Sequence, residues 1–361
     1  MLYYWLYPMA RQFPVFNVFR YITFRTALGA LTALLLLLAM GPAMIRLLRK
    51  RQIGQAIREE GPSSHRAKAG TPTMGGLLIL FSIAAATLLW MDLSNRFVWI
   101  ALGTLLAFGV VGFADDYTKV ARKRSLGLTG RAKLLPQFLV AVAVAWAIGQ
   151  WASHGAFSTV LTFPFLKKAL LDLGLLYVPF VAVVVVGSSN AVNLTDGLDG
   201  LAIGAVGIAA GTYAVLAYVT GNAVTARYLQ IPFVPQSGEL AVFCGSIVGA
   251  SLGFLWFNCH PADVFMGDVG SLPLGGAIAA VAVMTKQEIL LAIVGGLFVL
   301  EALSVIIQVV SFKTTGKRVF RMAPLHHHFE LGGWAESRVI IRFWILALFF
   351  GVAALSTLKL R

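Results

Sequence analysis

The amino-acid sequence predicts an all-α integral membrane protein with about ten transmembrane helices. Hydrophobic residues make up 58% of the 361 residues, and the mean hydropathy is +0.82. Only 12% of the residues are charged, about half the ~25% that is typical of a soluble domain. The hydrophobic residues also lie in long stretches. Because a membrane-spanning helix uses ~20 residues, they are numerous enough for about ten such helices. These observations exclude a cytosolic enzyme, a secreted disulfide scaffold and a disordered chain.

The candidate spans can be read in order along the chain. Ten stretches contain at most one charged residue each: 26–45, 69–91, 96–114, 134–166, 173–195, 200–226, 240–262, 269–285, 289–312 and 343–358. Each has ~16 residues or more, close to the length of a membrane-spanning helix, and none alternates as barrel strands do. The aromatic and arginine residues of Met1–Arg25 indicate an interfacial segment before a retained first helix. No Pro- or Ser-rich linker divides the chain, so we predict a single polytopic membrane domain over residues 1–361.

The distribution of positive charge predicts the orientation of these spans. With ten spans, the connections after the first, third, fifth, seventh and ninth share one side of the membrane. The whole chain has a net charge of +14, and those connections hold 19 of its 29 Lys and Arg residues. Loops rich in Lys and Arg stay in the cytoplasm. We therefore predict that the odd-numbered connections are cytoplasmic and that both termini are periplasmic.

The same side of the membrane collects six aspartates. They are Asp115, Asp116, Asp196, Asp199, Asp263 and Asp268. Carboxylates near the hydrocarbon are costly and usually mark a functional site. The alternative is that they only neutralise the basic loops. We predict an active site on the cytoplasmic face.

The first cytoplasmic connection ends in a glycine-rich motif, Gly-Thr-Pro-Thr-Met-Gly-Gly over residues 70–76. It lacks the Lys-Ser/Thr pair of an ATP-binding phosphate loop. Its backbone N–H groups are candidates for binding an anion. A tight loop with close helix packing is the equally weighted alternative.

Adjacent carboxylates end the third span, at Asp115 and Asp116. Neighbouring side chains on a helix diverge by ~100°, so we expect the two carboxylates to point in different directions and do different jobs. Lys119 is placed to pair with Asp115 four residues earlier. Further basic residues follow, which would attract anionic head groups or a phosphorylated substrate: Arg122, Lys123, Arg124, Arg131 and Lys133.

The third cytoplasmic connection is rich in Asn, Asp and Gly over residues 190–200. Asp196 and Asp199 are three residues apart, which places them on one face if the turn is helical. The spacing of a calcium-binding EF-hand is absent. Asn and Asp side chains match the donors and acceptors of a nucleoside, and a turn without function is the alternative.

The fourth connection contains Phe265, which is able to stack on a base, and Asp268 at the start of a span. Asp268 is either a metal ligand or a helix N-cap. The fifth connection contains His326, His327 and His328. Three consecutive histidines lack the i,i+4 spacing of a helical zinc site, so phosphate or sugar binding is favoured over zinc.

The motifs contain carboxylates and cations but no arrangement typical of a nucleophilic Ser or Cys. This set of residues favours a Mg²⁺ ion that bridges phosphates. The leading chemistry is therefore phosphoryl transfer at the cytoplasmic membrane surface. A secondary transporter is the rival class, with Glu301 of the ninth span and the histidines as a proton relay. The aspartates crowd one face rather than the midplane, where transporter sites lie, and Glu301 is expected to bond to a neighbouring helix or to mark a break in the span.

The motifs GTPTMGG, DDYTK, NAVNLTDGLDGLA, FMGDVGS and PLHHHFE occur in this order. Together they resemble the polyprenyl-phosphate N-acetylhexosamine-1-phosphate transferase superfamily over essentially the whole chain. PLHHHFE is similar to the phospho-N-acetylmuramoyl-pentapeptide transferase branch. The resemblance implies transfer of phospho-N-acetylmuramoyl-pentapeptide from its UDP-linked form to undecaprenyl phosphate in the bacterial cytoplasmic membrane, with Mg²⁺. The expected products are lipid I and UMP. The alternative within the superfamily is a sister transferase that uses UDP-N-acetylglucosamine.

The resemblance also implies roles for individual residues. Asp115, Asp116 and Asp268 match the family's catalytic aspartates, with Asp268 as the Mg²⁺ ligand and Asp115 as the group that deprotonates or positions the lipid phosphate. The expected substrate-binding residues are Lys68, Asn193, Asp196, Asn258 and Phe265 around the uridine and its phosphates, with Lys119, Lys133, Asp199, His326, His327 and His328 lining the rest of the cleft. The resemblance also implies a homodimer embedded in the lipid bilayer, and it implies no nucleic-acid partner.

Overall fold

A computed structural model describes residues 2–51, 68, 70–122, 127–152 and 158–359. Lys123 and Arg124, which we expected to attract anionic groups, lie outside the described residues. Fourteen α-helices, four short 3-10 helices and one β-hairpin make up the described regular structure. The elements are α1 (Leu2–Leu6), α2 (Ile22–Lys50), α3 (Gly76–Trp90), α4 (Arg96–Ala121), α5 (Gly130–Ala152), β1 (Val160–Phe163), β2 (Leu166–Asp172), α6 (Tyr177–Thr195), α7 (Leu201–Thr220), α8 (Ala223–Leu229), α9 (Leu240–Asn258), α10 (Asp268–Met284), α11 (Leu291–Val294), α12 (Gly296–Thr315), α13 (Leu325–Glu330) and α14 (Glu336–Ser356).

The helices confirm an all-α integral membrane protein. Within the described residues, eight helical segments are long and apolar enough to cross a membrane, and they contain α2, α4, α5, α6, α7, α9, α12 and α14. Two shorter apolar helices, α3 and α10, coincide with the second and eighth predicted spans. Every predicted span therefore contains an apolar helix.

The fourth span is shorter than predicted. We expected a helix within 134–166, but α5 ends at Ala152, and β1 and β2 form an antiparallel hairpin that pairs Val160 with Asp172. A helix over the whole stretch would be ~50 Å long, well beyond the ~30 Å hydrocarbon core. Pro164 and Phe165 form the hairpin turn, and Phe165 has a left-handed φ of 67°. Proline favours such turns because its φ is already fixed.

The ninth span is interrupted at Gly295, between α11 and α12. Glu301 lies inside α12, so the prediction that it marks a break is wrong. The alternative prediction, a bond to a neighbouring element, is confirmed by its contact with His326 of α13.

Small residues on α9 hold α2 close to it. Gly245, Gly249 and Gly253 recur every four residues on α9 and face α2. A Cβ atom at Gly249 would overlap the backbone of Ala30. In a membrane, where the lipid is as apolar as the side chains, such close backbone contact supplies much of the attraction between helices.

A buried ion pair joins the helix ends that lie away from the polar motifs. Arg25 of α2 donates hydrogen bonds to Glu239, at 2.6 Å to Oε1 and 2.7 Å to Oε2. It also donates to the carbonyl oxygen of Trp90 at 3.2 Å. This two-pronged arrangement is the strong form of an Arg–carboxylate pair. It fixes α2, the end of α3 and the start of α9 to one another.

Helix α10 is the best-buried helix near the polar motifs, and every residue from Val269 to Met284 is buried. It packs against α4 and α6. A Cβ atom at Gly112 of α4 would overlap the backbone carbonyl of Asp268, so only glycine permits this approach. The first residue of α10 is thereby brought against the last turns of α4.

Candidate active site

Three aspartates meet where α4 ends and α10 begins. We call Asp115, Asp116 and Asp268 the aspartate cluster. The ammonium Nζ of Lys119 lies 2.7 Å from Asp115 Oδ2, 3.2 Å from Asp116 Oδ1 and 3.1 Å from Asp268 Oδ1. All three carboxylates are largely buried, and the ammonium stabilises their shared negative charge. The predicted pair of Lys119 with Asp115 is confirmed, and the ammonium also reaches the other two aspartates.

The prediction that Asp115 and Asp116 point in different directions is wrong for one oxygen of each and right for the other. One oxygen of each converges on Lys119, because the long lysine side chain reaches both the i−4 and the i−3 positions. The remaining oxygens diverge. Asp115 Oδ1 accepts a hydrogen bond from the backbone N–H of Leu128 at 2.8 Å, and Asp116 Oδ2 accepts one from Val269 at 2.9 Å.

Asp268 is held by groups from three other segments. Lys133 of α5 lies 2.6 Å from its Oδ2, and the amide of Asn193, on α6, donates to its Oδ1 at 2.9 Å. The Asn193 amide also donates to Ser271 at 2.9 Å, and its oxygen accepts from Lys133 at 3.2 Å. The alternative that Asp268 is an N-cap is wrong. Asp268 is the first residue of α10 rather than the residue before it, and its carboxylate contacts Lys133 and Asn193.

The aspartate cluster suits a hard divalent cation. Each of the three carboxylates offers one oxygen, and the three oxygens lie within 4.8 Å of one another. Carboxylate oxygens that leave positions for phosphate oxygens and water are the usual ligands of Mg²⁺. The donor set therefore fits the predicted metal, with Asp268 as the ligand placed between the two lysines.

Asp196 and Asp199 lie in the loop after α6, and they face different groups. Helix α6 ends at Thr195, so the prediction that both share a helical face is wrong. Burial raises the pKa of Asp196 well above its usual range, and the negative charges of Asp268 and Asp116 raise it further. Asp196 thus belongs electrostatically to the aspartate cluster, and Asp199 belongs to a second group.

That second group, which we call the Lys68 cluster, contains Lys68, Asp199, His260 and Glu336. Lys68 Nζ lies 2.8 Å from Asp199 Oδ1 and 2.6 Å from Glu336 Oε1. Glu336 Oε1 also accepts a hydrogen bond from the backbone N–H of Asp199 at 3.1 Å. His260 Nδ1 lies 3.2 Å from Asp199 Oδ2 and 3.5 Å from Glu336 Oε2.

Glu336 and His260 were missed in the sequence. Glu336 opens the last transmembrane helix from within a basic connection, and His260 follows α9 directly. An acid at a predicted span boundary on the cytoplasmic side is the signal that could have found Glu336. No local pattern singles out His260.

Asn258 and Phe265 lie in the connection between α9 and α10. The buried Asn258 side chain accepts from the backbone N–H of Gly200 at 3.0 Å and donates to the carbonyl of Val264 at 2.8 Å. It thus fastens two loops of the site together. Phe265 is half-buried, and its backbone pairs with Pro72 and Gly75, so this residue lies beside the glycine-rich segment.

The backbone N–H groups of Gly75 and Gly76 in that segment do not point to an open site. Gly75 donates to the carbonyl of Phe265 and Gly76 to that of Met266, each at 2.9 Å. The prediction that these N–H groups bind an anion is therefore wrong for both residues. The alternative, a tight loop with close packing, is what the structure shows.

The three histidines have three different environments, as their spacing predicts. His326 is fully buried, with Nδ1 at 3.2 Å from Oε2 of Glu301. His327 Nδ1 lies 2.7 Å from Glu330 Oε2. His328 Nδ1 accepts from the backbone N–H of Arg321 at 3.1 Å. Among the described residues, no group of metal-ligating side chains includes any of the three. His327 and His328 are half-buried at the surface of this loop.

Comparisons with known proteins agree with this geometry. Residues 98–286 match the family described as Glycosyl transferase family 4, and residues 68–80 match the first phospho-N-acetylmuramoyl-pentapeptide-transferase signature. These ranges contain both adjacent aspartates, Lys68 and Asp268.

Full-length relatives carry the same name. The chain is 58% identical to the phospho-N-acetylmuramoyl-pentapeptide-transferase of Koribacter versatilis and 57% identical to that of Geobacter sp. strain M21. It is 56% identical to that of Desulfosudis oleivorans. Each comparison covers 100% of both chains. The resemblance in the motifs is thus confirmed, and the chain belongs to the phospho-N-acetylmuramoyl-pentapeptide-transferase family.

Proposed function

We propose that this protein transfers phospho-N-acetylmuramoyl-pentapeptide from its UDP-linked form to undecaprenyl phosphate, which gives lipid I and UMP. The observation that supports this most directly is the aspartate cluster with Lys119 and Lys133 at one end of a bundle of apolar helices. An acidic site flanked by cations suits two phosphorylated substrates that share a metal. Its place at the helix ends suits one substrate from water and one from lipid.

In the proposed reaction, an oxygen of the lipid phosphate attacks the phosphorus atom that is linked through oxygen to N-acetylmuramoyl-pentapeptide. A new phosphorus–oxygen bond forms, the bond to the UMP oxygen breaks, and UMP leaves with the electron pair. Asp115 is the group that positions or deprotonates the lipid phosphate. Asp116 supports the phosphate site, and its bond to Val269 fixes it against the start of α10. Asp268 would hold Mg²⁺, which when bound neutralises charge on the diphosphate.

The Lys68 cluster is the proposed site of the nucleotide. The Lys68 ammonium and the Asp199 carboxylate offer a donor and acceptors side by side, and Phe265 offers an aromatic face. Asn193, near the end of α6, and Asp196, in the loop that follows, join this cluster to the aspartate cluster. The half-buried His327 and His328 are proposed to contact the sugar or its phosphates.

An apolar cavity of about 270 Å³ supports a site for the prenyl chain. It lies between α6, α10 and α12, and its lining includes Ala191, Val192, Ile278, Phe298 and Ala302. Val192 is followed directly by Asn193, which contacts Asp268. A chain lying in this cavity would therefore carry its phosphate towards the aspartate cluster.

We favour direct attack over a covalent phospho-aspartyl intermediate, because the lipid phosphate is already a competent nucleophile. The protein incubated with UDP-N-acetylmuramoyl-pentapeptide and Mg²⁺ without lipid should release no UMP. A stoichiometric burst of UMP, together with a phosphorylated aspartate, would instead establish the two-step route.

The proposal includes the orientation and the assembly of the protein. The excess of Lys and Arg in the odd-numbered connections supports a cytoplasmic active site and periplasmic termini. A single membrane domain and a homodimer complete the proposal. The molar mass of the purified protein in detergent, after subtraction of bound detergent, tests the dimer.

A UMP-release assay tests the function. Purified protein in detergent is given undecaprenyl phosphate and Mg²⁺ with either UDP-N-acetylmuramoyl-pentapeptide or UDP-N-acetylglucosamine. We expect UMP release with the first nucleotide and none above background with the second. Release with UDP-N-acetylglucosamine alone would assign the protein to the sister activity, and omission of the lipid is the negative control.

A further inference from the structure

Glu301 and His326 form a pair in the interior of the protein. Glu301 lies on α12 and His326 on α13, and both side chains are 0% exposed. The imidazole Nδ1 lies 3.2 Å from the carboxylate Oε2. The contact does not have the geometry of a hydrogen bond, and neither the carboxylate oxygens nor the ring nitrogens have a hydrogen-bond partner among the described residues.

A buried carboxylate and a buried imidazole are each costly in an apolar interior unless they compensate one another. Among the described residues the two groups have only their mutual polar contact for this purpose, so each compensates the other in the interior. A carboxylate on Nδ1 also fixes the tautomer and the orientation of an imidazole ring. Glu301 therefore sets the position of the His326 ring.

The opposite edge of that ring lies against Gly197. A Cβ atom at Gly197 would overlap His326 Nε2 and lie 2.9 Å from Cε1, so a side chain at this position would displace the ring. Gly197 lies in the loop 196–200, between Asp196 and Asp199. The ring thus forms the support on which this loop rests.

We propose that Glu301 is a positioning residue that acts through His326 on the loop 196–200. This inference rests on the proposed function, in which that loop contributes Asp196 and Asp199 to the nucleotide site. Because both its ring nitrogens are buried, His326 supports the loop instead of binding substrate. This role differs from the one that we predicted for His326 from the family resemblance. His327 and His328 keep their proposed contacts with substrate.

Two substitutions at Glu301 separate positioning from simple structural support. Glu301→Leu removes the carboxylate that faces Nδ1, whereas Glu301→Gln keeps a polar side chain of the same size in that place. For Glu301→Leu we expect the KM for the UDP-linked substrate to rise about tenfold, because the loop 196–200 loses the support that orders it for binding. The KM for undecaprenyl phosphate should stay within about twofold. Glu301→Gln should restore most of the nucleotide affinity.

The matched control is Glu239→Gln, which removes a buried charge from the Arg25 pair at the far end of the bundle. It should lower the melting temperature and leave the nucleotide KM unchanged. A folded Glu301→Leu protein with the wild-type nucleotide KM overturns the proposal. An equal rise in both KM values does so too.

A third substitution keeps the proposal testable if Glu301→Leu does not fold. Gly197→Ala pushes on the ring from the other side, and it should weaken binding of UDP, measured by isothermal titration calorimetry without turnover. Unchanged UDP binding by Gly197→Ala overturns the proposal. Wild-type protein that binds UDP but releases no UMP would contradict the proposed function alone, because the calorimetric comparison of the variants still tests the role of Glu301.

Discussion

Lys119 and Asp268 meet across two helices, with the Lys119 ammonium 3.1 Å from Asp268 Oδ1. The same ammonium touches Asp115 and Asp116 on its own helix. One cation therefore holds together three carboxylates that would otherwise repel one another. Lys133 also contacts Asp268, so two ammonium groups face three carboxylates and the group carries a formal charge of −1 that a bound divalent cation would reverse.

Lys119→Met should destabilise the protein and abolish most of its activity. Loss of one partner from a buried charge group costs about 3 kcal/mol, because the remaining charges are left uncompensated. We expect a lower melting temperature in EDTA and a larger increase on adding Mg²⁺ than the wild type shows. Lys317→Met, at an exposed position, is the control. Equal melting temperatures of wild type and Lys119→Met in EDTA would contradict this account.

Asp268→Asn should lose most of the UMP-release activity. The substitution keeps the shape of the side chain but removes one negative charge from the proposed metal ligand, which lies between Lys119 and Lys133. A magnesium titration of the initial rate measures the effect. If the variant keeps near-normal turnover and an unchanged magnesium requirement, the assignment of Asp268 as metal ligand is wrong.

Glu336→Gln should weaken the nucleotide site. Glu336 Oε1 accepts from both Lys68 and the backbone of Asp199, so its charge fixes the two groups relative to each other. Loss of one charge-assisted hydrogen bond of ~1.5 kcal/mol predicts an increase of about tenfold in the nucleotide KM. The turnover number should change less.

The control for Glu336→Gln is Asp263→Asn. Asp263 forms an exposed pair with Arg49 at 3.2 Å, and exposed pairs contribute little. Both variants are assayed for UMP release over a range of nucleotide concentrations. The same KM in Glu336→Gln and in the control would show that Glu336 does not organise the site.

Asp196 should make stability depend on pH. Burial and the charges of Asp268 and Asp116 raise the pKa of Asp196, so the folded protein binds its proton more tightly than the unfolded chain does. This contribution to stability is fully present below the unfolded pKa of ~3.9 and is lost as the pH rises through the folded pKa. Melting temperatures measured against pH in EDTA should therefore show a decrease that Asp196→Asn lacks.

At pH 8 Asp196→Asn should be more stable than the wild type but less active, because stability at a binding site is often traded for function. As the pH is lowered, the two proteins should approach the same melting temperature. If the variant is less stable than the wild type at pH 8, ionised Asp196 does not destabilise the folded protein.

Much of the fold could be predicted because hydrophobicity accumulates along the chain. Ten apolar stretches predicted the places of the apolar helices, and the structure has one in each. The β-hairpin could not be predicted in the same way, since its first strand, Val160–Phe163, lies inside an apolar stretch and only the second strand contains charged residues. Only the length limit of a membrane helix separates it from α5.

The candidate site was predictable in its inventory and less so in its pairings. Lys119 could be paired with Asp115, since the helix repeat fixes residues four apart. Lys68 and Glu336 are 268 positions apart, and their contact depends on where α14 begins relative to the loop after α6. No local pattern contains that information.

The sequence by itself determined the membrane class, the places of the spans and the set of polar residues on one side, because these follow from local hydropathy and charge. The tertiary structure alone decided which of those residues meet. It placed Asp268 against Lys119, Glu336 in contact with both Lys68 and Asp199, and Glu301 in contact with His326. The reason is physical: helix packing in a membrane depends on close contacts between surfaces, such as that of Gly112 with the start of α10, and those surfaces come from distant parts of the chain.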